Sequence, residues 1–279
     1  MKPKNKGTNS MKMWKSAFLG AVTTILISAS LSHAETLRVG LECTYPPFNY
    51  RTAEGNLEGY DVDVAKGIAE ITGYELDYVC QGFDGLIPAL LANKFDLIVA
   101  SMSITDKRKQ QIDFSIPYRK SVGHLVAAAG TGADMFDASG QPIPEKFKGV
   151  RIGVERASTY FDWFKAKLPD ADLVMYDGVE PMYLDLKNGR VDMIMTNPMK
   201  AYLSFLQGEG KGKFELVGPE INEPKYFGPG VGVGLRKGED ELRGKIDDAI
   251  RQLIRDGKLK DYALKIFPFP IHDDAWANK

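Results

Sequence analysis

An arginine preceded by hydroxyl side chains is the first feature of this sequence with the chemistry of a binding site. Ser101, Ser103 and Arg108 lie in the segment Ser-Met-Ser-Ile-Thr-Asp-Lys-Arg, which follows an apolar run at residues 95–100. A guanidinium group presents a planar fork of donors that matches the two oxygens of a carboxylate. The segment therefore indicates a carboxylate-binding site. The alternative interpretation is a solvated helix arginine that pairs with an acidic side chain.

Acidic and aromatic residues at other points of the chain indicate a site for a cationic group. Glu42 and Glu155 each end an apolar segment, and Tyr45 and Phe83 provide flat faces for a ligand side chain. Carboxylates and aromatic faces both attract cations. The alternatives are that the two acids are solvated strand ends and that the two rings belong to the core.

Ser158 and Thr159 open a predicted helix at residues 158–167, and Tyr160 follows them. The free backbone N–H groups at the start of a helix attract an anion. Two of the serines have a simpler interpretation as helix caps, because Ser158 begins this helix and Ser103 is spaced from Asp106 as in a capping box.

The strands that position these residues occur in two similar halves. The segment Arg-Val-Gly-Leu-Glu at 38–42 returns as Arg-Ile-Gly-Val-Glu at 151–155. A second landmark, a helix end followed by Asn, Asp and an apolar strand, spans residues 91–100 and returns at 186–196. Because the two landmarks recur in the same order, they indicate a pseudo-repeat.

Strands that alternate with helices predict βαβ units and parallel sheets. The runs 95–100 and 230–236 are predicted as strands, and residues 262–267 as a short helix. Ligands of open α/β sheets bind beyond the carboxyl ends of the strands. We therefore expect five segments to converge on one cleft between two lobes, namely residues 42–45, 81–84, 101–108, 155–160 and 196–197.

Motifs of catalysis and cofactor binding are missing from the sequence. It has no glycine-rich phosphate loop, no metal-ligand spacing and no nucleophile elbow, and the run Gly-Val-Gly-Val-Gly at 230–234 alternates like a strand. His124 and His272 lie outside any recognisable motif. We expect no cofactor and no metal, and a protein that is not an enzyme.

The first 34 residues have the composition of a secretory signal peptide. Five lysines precede an apolar run at residues 17–30, and Ser-His-Ala at 32–34 provides small residues for cleavage after Ala34. The alternative, an amphipathic first helix, lacks a polar face in the run. Without the leader the chain has 31 basic and 37 acidic residues, a net charge of −6, which argues against a nucleic-acid partner.

Cys43 and Cys80 both follow the ends of predicted strands. An exported protein meets an oxidising compartment, which favours a disulfide bond between them. The alternative is a pair of free thiols, since the sequence does not give their separation.

Taken together, the segments at 40–48, 59–63, 83–90, 101–108 and 230–237 make the chain resemble one family. This family is the periplasmic solute-binding proteins for polar amino acids, with its lysine/arginine/ornithine- and histidine-binding group and its opine-binding relatives. The resemblance implies a type II periplasmic-binding-protein-like fold, in which two α/β lobes are joined by two hinge strands around a ligand cleft. We expect lobe 1 to contain residues 35–120 and 222–279, and lobe 2 residues 121–221.

The resemblance also implies roles for the residues singled out above. Arg108, Ser101 and Ser103 would hold the α-carboxylate of the ligand, together with Ser158 and Thr159 from the other lobe. Tyr45 and Phe83 would sandwich the ligand side chain, and Glu42 would face its distal group. Tyr160 differs from the small or amide residue that is usual in the family and would reshape the pocket.

One position departs from the family pattern. The family usually has an Asp that binds the α-ammonium group, and this chain has Asn197. Losing that charge-assisted hydrogen bond would cost an unmodified amino acid roughly 1.5–3 kcal/mol. Either Glu155 takes over this role, or the ligand has a substituted α-nitrogen, as opines do.

We expect a monomeric periplasmic protein that captures a polar, cationic amino acid or derivative, of the arginine, ornithine or lysine type or an opine. It would deliver this ligand to the permease of a membrane ABC transporter. The alternative is a secreted cyclohexadienyl dehydratase on the same scaffold, acting on prephenate or arogenate. In that case Glu155 or Glu42 would protonate the leaving hydroxyl group.

Overall fold

The structure is a computed structural model that describes residues 35–132 and 134–278. The predicted signal peptide lies outside these residues. The described strands are β1 (Thr36–Leu41), β2 (Thr44–Tyr45), β3 (Asn49–Arg51), β4 (Leu57–Glu58), β5 (Glu75–Cys80), β6 (Leu97–Ile98), β7 (Asp113–Phe114), β8 (Gly123–Ala128), β9 (Arg151–Glu155), β10 (Asp172–Tyr176), β11 (Met193–Thr196), β12 (Phe214–Ile221) and β13 (Gly234–Leu235).

The described α-helices are α1 (Tyr60–Thr72), α2 (Leu86–Leu91), α3 (Asp106–Lys109), α4 (Pro144–Phe147), α5 (Thr159–Lys167), α6 (Val179–Lys187), α7 (Pro198–Ala201), α8 (Pro224–Phe227), α9 (Asp240–Arg255) and α10 (Lys258–Leu264). Short 3-10 helices span Phe83–Gly85 and Asp274–Asn278, and a π-helix spans Tyr202–Leu206. In the described part of the chain, no helix is long and apolar enough to cross a membrane.

Two five-stranded sheets form the centre of the fold. The first has the order β5-β1-β6-β13-β7 and the second the order β10-β9-β11-β8-β12. In each sheet the first three strands are parallel, and the next strand pairs antiparallel with the third. The matching orders confirm the predicted α/β organisation in two similar halves. A small antiparallel sheet of β2, β3 and β4 extends from the end of β1.

The chain passes between the sheets twice. β7 of the first sheet is followed by β8 of the second, and β12 of the second is followed by β13 of the first. Two connecting segments, residues 115–122 and 222–233, therefore join the sheets. The lobe limits given above stay a prediction.

An arginine–aspartate pair ties together the parallel strands of each sheet in the same way. At the start of β1, the Arg38 side chain donates to Asp96 just before β6, with Nη2 to Oδ1 at 2.8 Å and Nε to Oδ2 at 3.1 Å. At the start of β9, Arg151 makes the same contacts with Asp192, at 2.6 and 3.0 Å. These four residues belong to the two sequence landmarks, so the pseudo-repeat has a structural cause.

The glycine shared by the two repeated strands has a packing role. A Cβ atom on Gly40 would lie 2.5 Å from the ring of Phe95, and one on Gly153 would lie 3.0 Å from the Ile194 side chain. A larger residue at Gly40 would force the Phe95 ring to shift, because real Cβ atoms essentially never approach other atoms closer than 3.0 Å, and one at Gly153 would require Ile194 to move by a few tenths of an ångström. The spacing of Arg38, Gly40 and Glu42 therefore determines where Glu42 lies at the end of β1.

Helices cover the sheets with regular apolar faces. In α9 the buried side chains recur every three or four residues, which places them on one face. That face packs against α1 and α10 in the larger core cluster. Helix α1 ends at Gly73, whose φ of 77° forms a left-handed cap. In the second half, Trp163 and Phe164 of α5 join a separate apolar cluster against the second sheet.

Several predicted boundaries differ from the observed ones. The apolar runs 95–100 and 230–236 contribute only the short strands β6 and β13, although Val231 also forms isolated bridges to Ser103 and Arg119. The last helix, α10, begins at Lys258 rather than at 262. The runs are apolar throughout because they are buried. The strands are shorter because only some residues of each run form hydrogen bonds in register with a neighbouring strand.

Cys43 and Cys80 are joined by a disulfide bond, with their Cα atoms 5.6 Å apart. The prediction of a disulfide bond, as opposed to two free thiols, is confirmed. The bond ties the loop after β1 to the end of the neighbouring strand β5. It therefore anchors the loop that carries Glu42 and Tyr45.

We predict that replacing Cys43 and Cys80 together by alanine destabilises the protein. The bond closes a loop with a sequence separation of 37 residues, for which loss of the constraint on the unfolded chain costs roughly 3–4 kcal/mol. Thermal unfolding followed by circular dichroism should then show a midpoint lower by roughly 6–16 °C.

A reducing agent should lower the midpoint of the wild-type protein towards that of the variant and leave the variant unchanged. Equal midpoints for the oxidised wild type and the variant would contradict the stabilising role.

Candidate ligand-binding site

One cavity lies beyond the carboxyl ends of β1, β6 and β9, at the place that the strand-end rule predicts. The space that protein atoms do not fill there amounts to about 410 Å³, part of which is open to solvent. Fourteen described residues line it, namely Glu42, Tyr45, Phe83, Ala100, Ser101, Ser103, Arg108, Arg119, Ser121, Val122, Glu155, Ser158, Thr159 and Tyr160.

Ten of the eleven side chains singled out from the sequence are among these lining residues. Asn197 is not. Sequence reasoning missed Ala100, Arg119, Ser121 and Val122, three of which lie in the segment that connects the two sheets. The strand-end rule does not point to this segment, which lies outside the five segments expected to converge on the cleft.

Arg108 is a buried cation at this cavity. Its side chain is 7% exposed, and Nη1 and Nη2 each donate to a backbone oxygen, that of Ser103 at 2.9 Å and that of Ala157 at 2.9 Å. Burial lowers its pKa to about 10, so it remains charged at neutral pH. Among the described residues it has no ion pair with an acid, so its charge is available to a ligand.

The hydroxyl groups around Arg108 already have protein partners. Ser101 donates to Asp61 at 2.7 Å, and Ser103 shares a hydrogen bond of 2.7 Å with Ser121. The proposed capping box at Ser103 was wrong, because Thr105 caps α3 and accepts from the backbone N–H of Arg108. Thr105 directly precedes the first residue of α3, Asp106, whereas Ser103 lies two residues further from the helix.

The first turn of α5 borders the cavity from the second sheet. Ser158 is its N-cap, since its hydroxyl oxygen accepts from the N–H of Phe161 at 3.2 Å. The same hydroxyl donates to the backbone oxygen of Glu155 at 2.7 Å. Thr159 is the first helical residue, and the N–H groups of a first turn have no acceptor within the helix. These N–H groups are the donors that remain for an anion.

Two aromatic rings border the cavity from the first half of the chain. Tyr45 is 6% exposed and stacks on Phe48, with ring centres 5.6 Å apart. Phe83 is half-buried, and the guanidinium carbon of Arg108 lies 5.4 Å from its ring centre. Tyr160 comes from α5, in the second half of the chain, and its hydroxyl group donates to the backbone oxygen of Val122 at 3.3 Å.

Glu42 and Glu155 occupy equivalent positions in the repeat and meet at the cavity. They are 6% and 5% exposed, so neither is a solvated strand end. Burial raises the pKa of Glu42 to about 7. Burial, with the negative charge of Glu42, raises the pKa of Glu155 well above its usual range. Oε1 of Glu155 has no hydrogen-bond partner in the described structure.

Lys200 supplies a positive charge behind this acidic pair. Its side chain is fully buried, and Nζ donates to Glu180 at 3.2 Å and to the backbone oxygen of Pro46 at 3.2 Å. Nζ also lies 4.8 Å from the ring centre of Tyr45. Burial lowers the pKa of Lys200, while its charge lowers the pKa of Glu42 and Glu155. Apart from its place four residues after β11, nothing in the sequence marks Lys200 as part of the site.

Asn197 lies outside the main cavity. Its Oδ1 accepts from the backbone N–H groups of Met199 and Lys200, at 3.0 and 3.3 Å, so its side chain caps α7. It lines a second cavity, together with Arg119 and His124. The structure therefore gives this side chain a local role, as the N-cap of α7.

No cluster of three or more metal-ligating side chains occurs within residues 35–132 and 134–278. The charged groups at the cavity instead form an arrangement for a charged organic ligand. A guanidinium group and a helix start provide positive charge, two buried carboxyl groups provide acidic partners, and aromatic rings lie between them.

Two similar α/β halves around one buried, charged cavity define a solute-binding protein of the periplasmic-binding-protein type. The chain belongs to the bacterial extracellular solute-binding proteins, family 3, whose family model matches residues 37–269.

Named relatives cover nearly the whole chain. The L-arginine-binding protein of Pseudomonas aeruginosa is 36% identical over 93% of this chain and 99% of that protein. The lysine/arginine/ornithine-binding periplasmic protein of Escherichia coli is 34% identical over 94% of this chain and 100% of that protein.

Solved structures agree with this assignment. An ancestral arginine-binding protein bound to arginine has a TM-score of 0.74 and 33% identity, covering 83% of this chain and 98% of that one. An ancestral amino-acid-binding protein, described as a precursor of cyclohexadienyl dehydratase, has a TM-score of 0.71 and 28% identity, covering 83% and 95%.

We predict that Glu42 makes the stability of the ligand-free protein depend on pH. Its folded-state pKa of about 7 lies above its ordinary value of 4.5, so its contribution is fully present below pH 4.5 and is lost as the pH rises through 7. The loss amounts to at most about 3 kcal/mol. Urea unfolding at pH 5, 6, 7 and 8 should show this decline in the wild type relative to Glu42→Gln, which cannot ionise.

Lys200→Met serves as a matched comparison. Removing the nearby positive charge should raise the pKa of Glu42 further, so the decline should move to higher pH in this variant. Parallel stability curves for the wild type and Glu42→Gln would show that Glu42 does not titrate in this range.

Proposed function

We propose that this protein captures a polar, cationic amino acid or amino-acid derivative in the periplasm and delivers it to the permease of an ABC transporter. The observation that carries the proposal is a buried arginine without an acidic partner, facing the same cavity as two buried carboxyl groups. Such a cavity is complementary to a molecule with a carboxylate at one end and cationic groups elsewhere.

The ligand carboxylate would bind Arg108 and the first turn of α5. This position combines a guanidinium fork from the first half with N–H groups near Thr159 from the second. Ser101 and Ser103 would contribute chiefly by holding the loop, because their hydroxyl groups already bond to Asp61 and Ser121.

The side chain of the ligand would lie between Tyr45 and Phe83 with its cationic end towards Glu42. Glu155 would accept the α-ammonium group, since its Oε1 is buried and has no partner among the described residues. Binding a cation would favour the ionised form of both carboxyl groups. Ligands of the arginine, ornithine or lysine type, and opines, all have the required end groups.

Closure around the ligand would be a hinge motion about the two segments that connect the sheets. Several contacts already join the halves. Nη2 of Arg108 donates to Ala157 O, Lys107 pairs with Asp162 at 2.8 Å, and Lys200 reaches Pro46 O. A ligand that touches Arg108 and Glu155 together would add to these contacts and stabilise the closed form.

A dehydratase of prephenate or arogenate is the second candidate, and one observation favours it. Glu155 is a buried carboxyl group whose raised pKa favours its protonated form, which a general acid for a leaving hydroxyl group requires. The similarity to the ancestral precursor of cyclohexadienyl dehydratase points in the same direction. Incubation of the purified protein with each substrate, with ultraviolet detection of an aromatic product, tests it.

We predict that ligand-stripped protein is stabilised by a member of a panel of basic, neutral and acidic amino acids and opines. At about a thousandfold excess over the dissociation constant, a ligand should add roughly 4 kcal/mol, or roughly 8–16 °C in a thermal-shift assay. No shift with any member, together with product formation from prephenate, would replace the binding function by the enzymatic one.

Arg108→Ala should weaken the binding of the ligand found in this way by at least about 30-fold, because truncating one member of a buried charge pair costs at least about 2 kcal/mol. Isothermal titration calorimetry measures the change. Lys109→Ala is the matched control, since it removes a positive charge from the same helix at a half-exposed side chain outside the cavity. Equal affinities for Arg108→Ala and Lys109→Ala would remove the carboxylate assignment.

Export is tested separately. We predict that the protein expressed with its full leader in a Gram-negative host is recovered from the periplasmic fraction with Glu35 as its first residue, because cleavage is expected after Ala34. Intact-mass spectrometry gives the mass of the mature chain, and light scattering tests the expected monomer. A full-length chain in the cytoplasmic fraction would contradict the signal peptide.

A further inference from the structure

A second buried arginine at the cavity, Arg119, has no acidic partner. Its side chain is 4% exposed and lines the cavity beside Ser121 and Val122. Nη1 donates to the backbone oxygen of Lys120 at 2.8 Å, and Nε is buried without a hydrogen-bond partner. Within the described chain, Arg119 forms no ion pair. A buried donor of a charged group is costly for the protein while it has no acceptor, so this group favours a ligand that supplies one.

The guanidinium group of Arg119 is held in place. Its Cζ lies 4.3 Å from the ring centre of Phe48, a cation–π contact. The charge of Arg119 lowers the pKa of Asp61, whose oxygens accept hydrogen bonds from Asn49, Ser101 and Tyr118 and not from Arg119. Asp61 is therefore satisfied by neutral donors and leaves Arg119 without a direct counter-ion.

The position of Arg119 shows which side of the cavity it serves. It lines both the main cavity and the second cavity, where Asn197 is found. Asn197 has no charge, and its oxygen is used to cap α7. Arg119 and Val122 line both cavities, so Arg119 places a positive charge where the two cavities adjoin. Arg108 lies against a different part of the lining, the ring of Phe83.

We propose that Arg119 binds a second acidic group of the ligand, and that the preferred ligand is an amino acid whose α-nitrogen has a carboxyalkyl substituent. The inference rests on the proposed function, because it uses the same cavity. Arg108 would hold the α-carboxylate and Arg119 the carboxylate of the substituent. Two arginines and two glutamates then face two acidic and two basic groups, so every buried charge at the cavity has a partner.

The hydroxyl pair of Ser103 and Ser121 lines the same cavity as the two arginines. The backbone oxygen of Ser103 accepts from Arg108, and its hydroxyl group bonds to that of Ser121. A rotation of these hydroxyl groups would offer a donor to a ligand carboxylate. They therefore make the cavity wall more suitable for a ligand with two acidic groups.

Three ligands test the inference by calorimetry: arginine with a 1-carboxyethyl group on its α-nitrogen, the matching carboxamide, and arginine itself. The wild-type protein should bind the acid about 10- to 100-fold more tightly than the carboxamide, the effect of one charge-assisted hydrogen bond. In Arg119→Gln this ratio should fall close to one. Lys120→Gln, which removes the neighbouring exposed positive charge, should keep the wild-type ratio.

The comparison of acid and carboxamide in the wild type is decisive by itself if Arg119→Gln does not fold. A wild-type ratio near one, or a ratio that survives in a folded Arg119→Gln, overturns the inference about Arg119. If arginine binds and the ratio is near one, the proposed function stands and only this inference fails. If none of the three ligands, nor the wider amino-acid panel, binds to folded protein, the proposed function and the inference fall together.

Discussion

The binding cavity depends on the repeated arginine–aspartate pair that fixes the second strand of each sheet order against the third. Arg38 with Asp96, and Arg151 with Asp192, set the register of β1 on β6 and of β9 on β11. Because both sheets are set in the same way, β1 and β9 end at equivalent points. The glutamates that end those strands therefore face one cavity, and the loops that follow them provide the rest of its wall.

The same arrangement brings several charges out of water. Burial raises the pKa of both Glu42 and Glu155, the charge of Glu42 raises the pKa of Glu155 further, and the charge of Lys200 lowers the pKa of both. Isolated buried charges are expensive, and like charges add to that cost. The positive charge of Lys200 lowers the cost of ionising Glu42 and Glu155. The ligand-free protein thus holds an acidic pair that is only partly ionised, which a cationic ligand would convert to the charged form.

Local backbone geometry at the strand ends supports the same site. Among the described residues, Cys43, Ser101 and Ala157 have positive φ angles although they are not glycines. Each lies in a loop that borders the cavity, after β1, β6 and β9. Such conformations are uncommon and persist where the surroundings determine them. The disulfide of Cys43, the bond from Ser101 to Asp61, and the bond from Arg108 to Ala157 O provide those surroundings.

The sequence by itself determined the α/β class, the repeat, and most of the cavity wall, because side chains just after buried strands must meet at one edge of a parallel sheet. Only the tertiary structure decided the roles of Lys200, Arg119 and Asn197. Lys200 contacts Pro46, 154 positions earlier, and periodicity records which face of an element is buried, not which distant element covers it. The ionisation of Glu42 and Glu155 likewise depends on their burial by residues from both halves of the chain. The sequence therefore shows that the two acids are present, and only the fold determines how far they are charged.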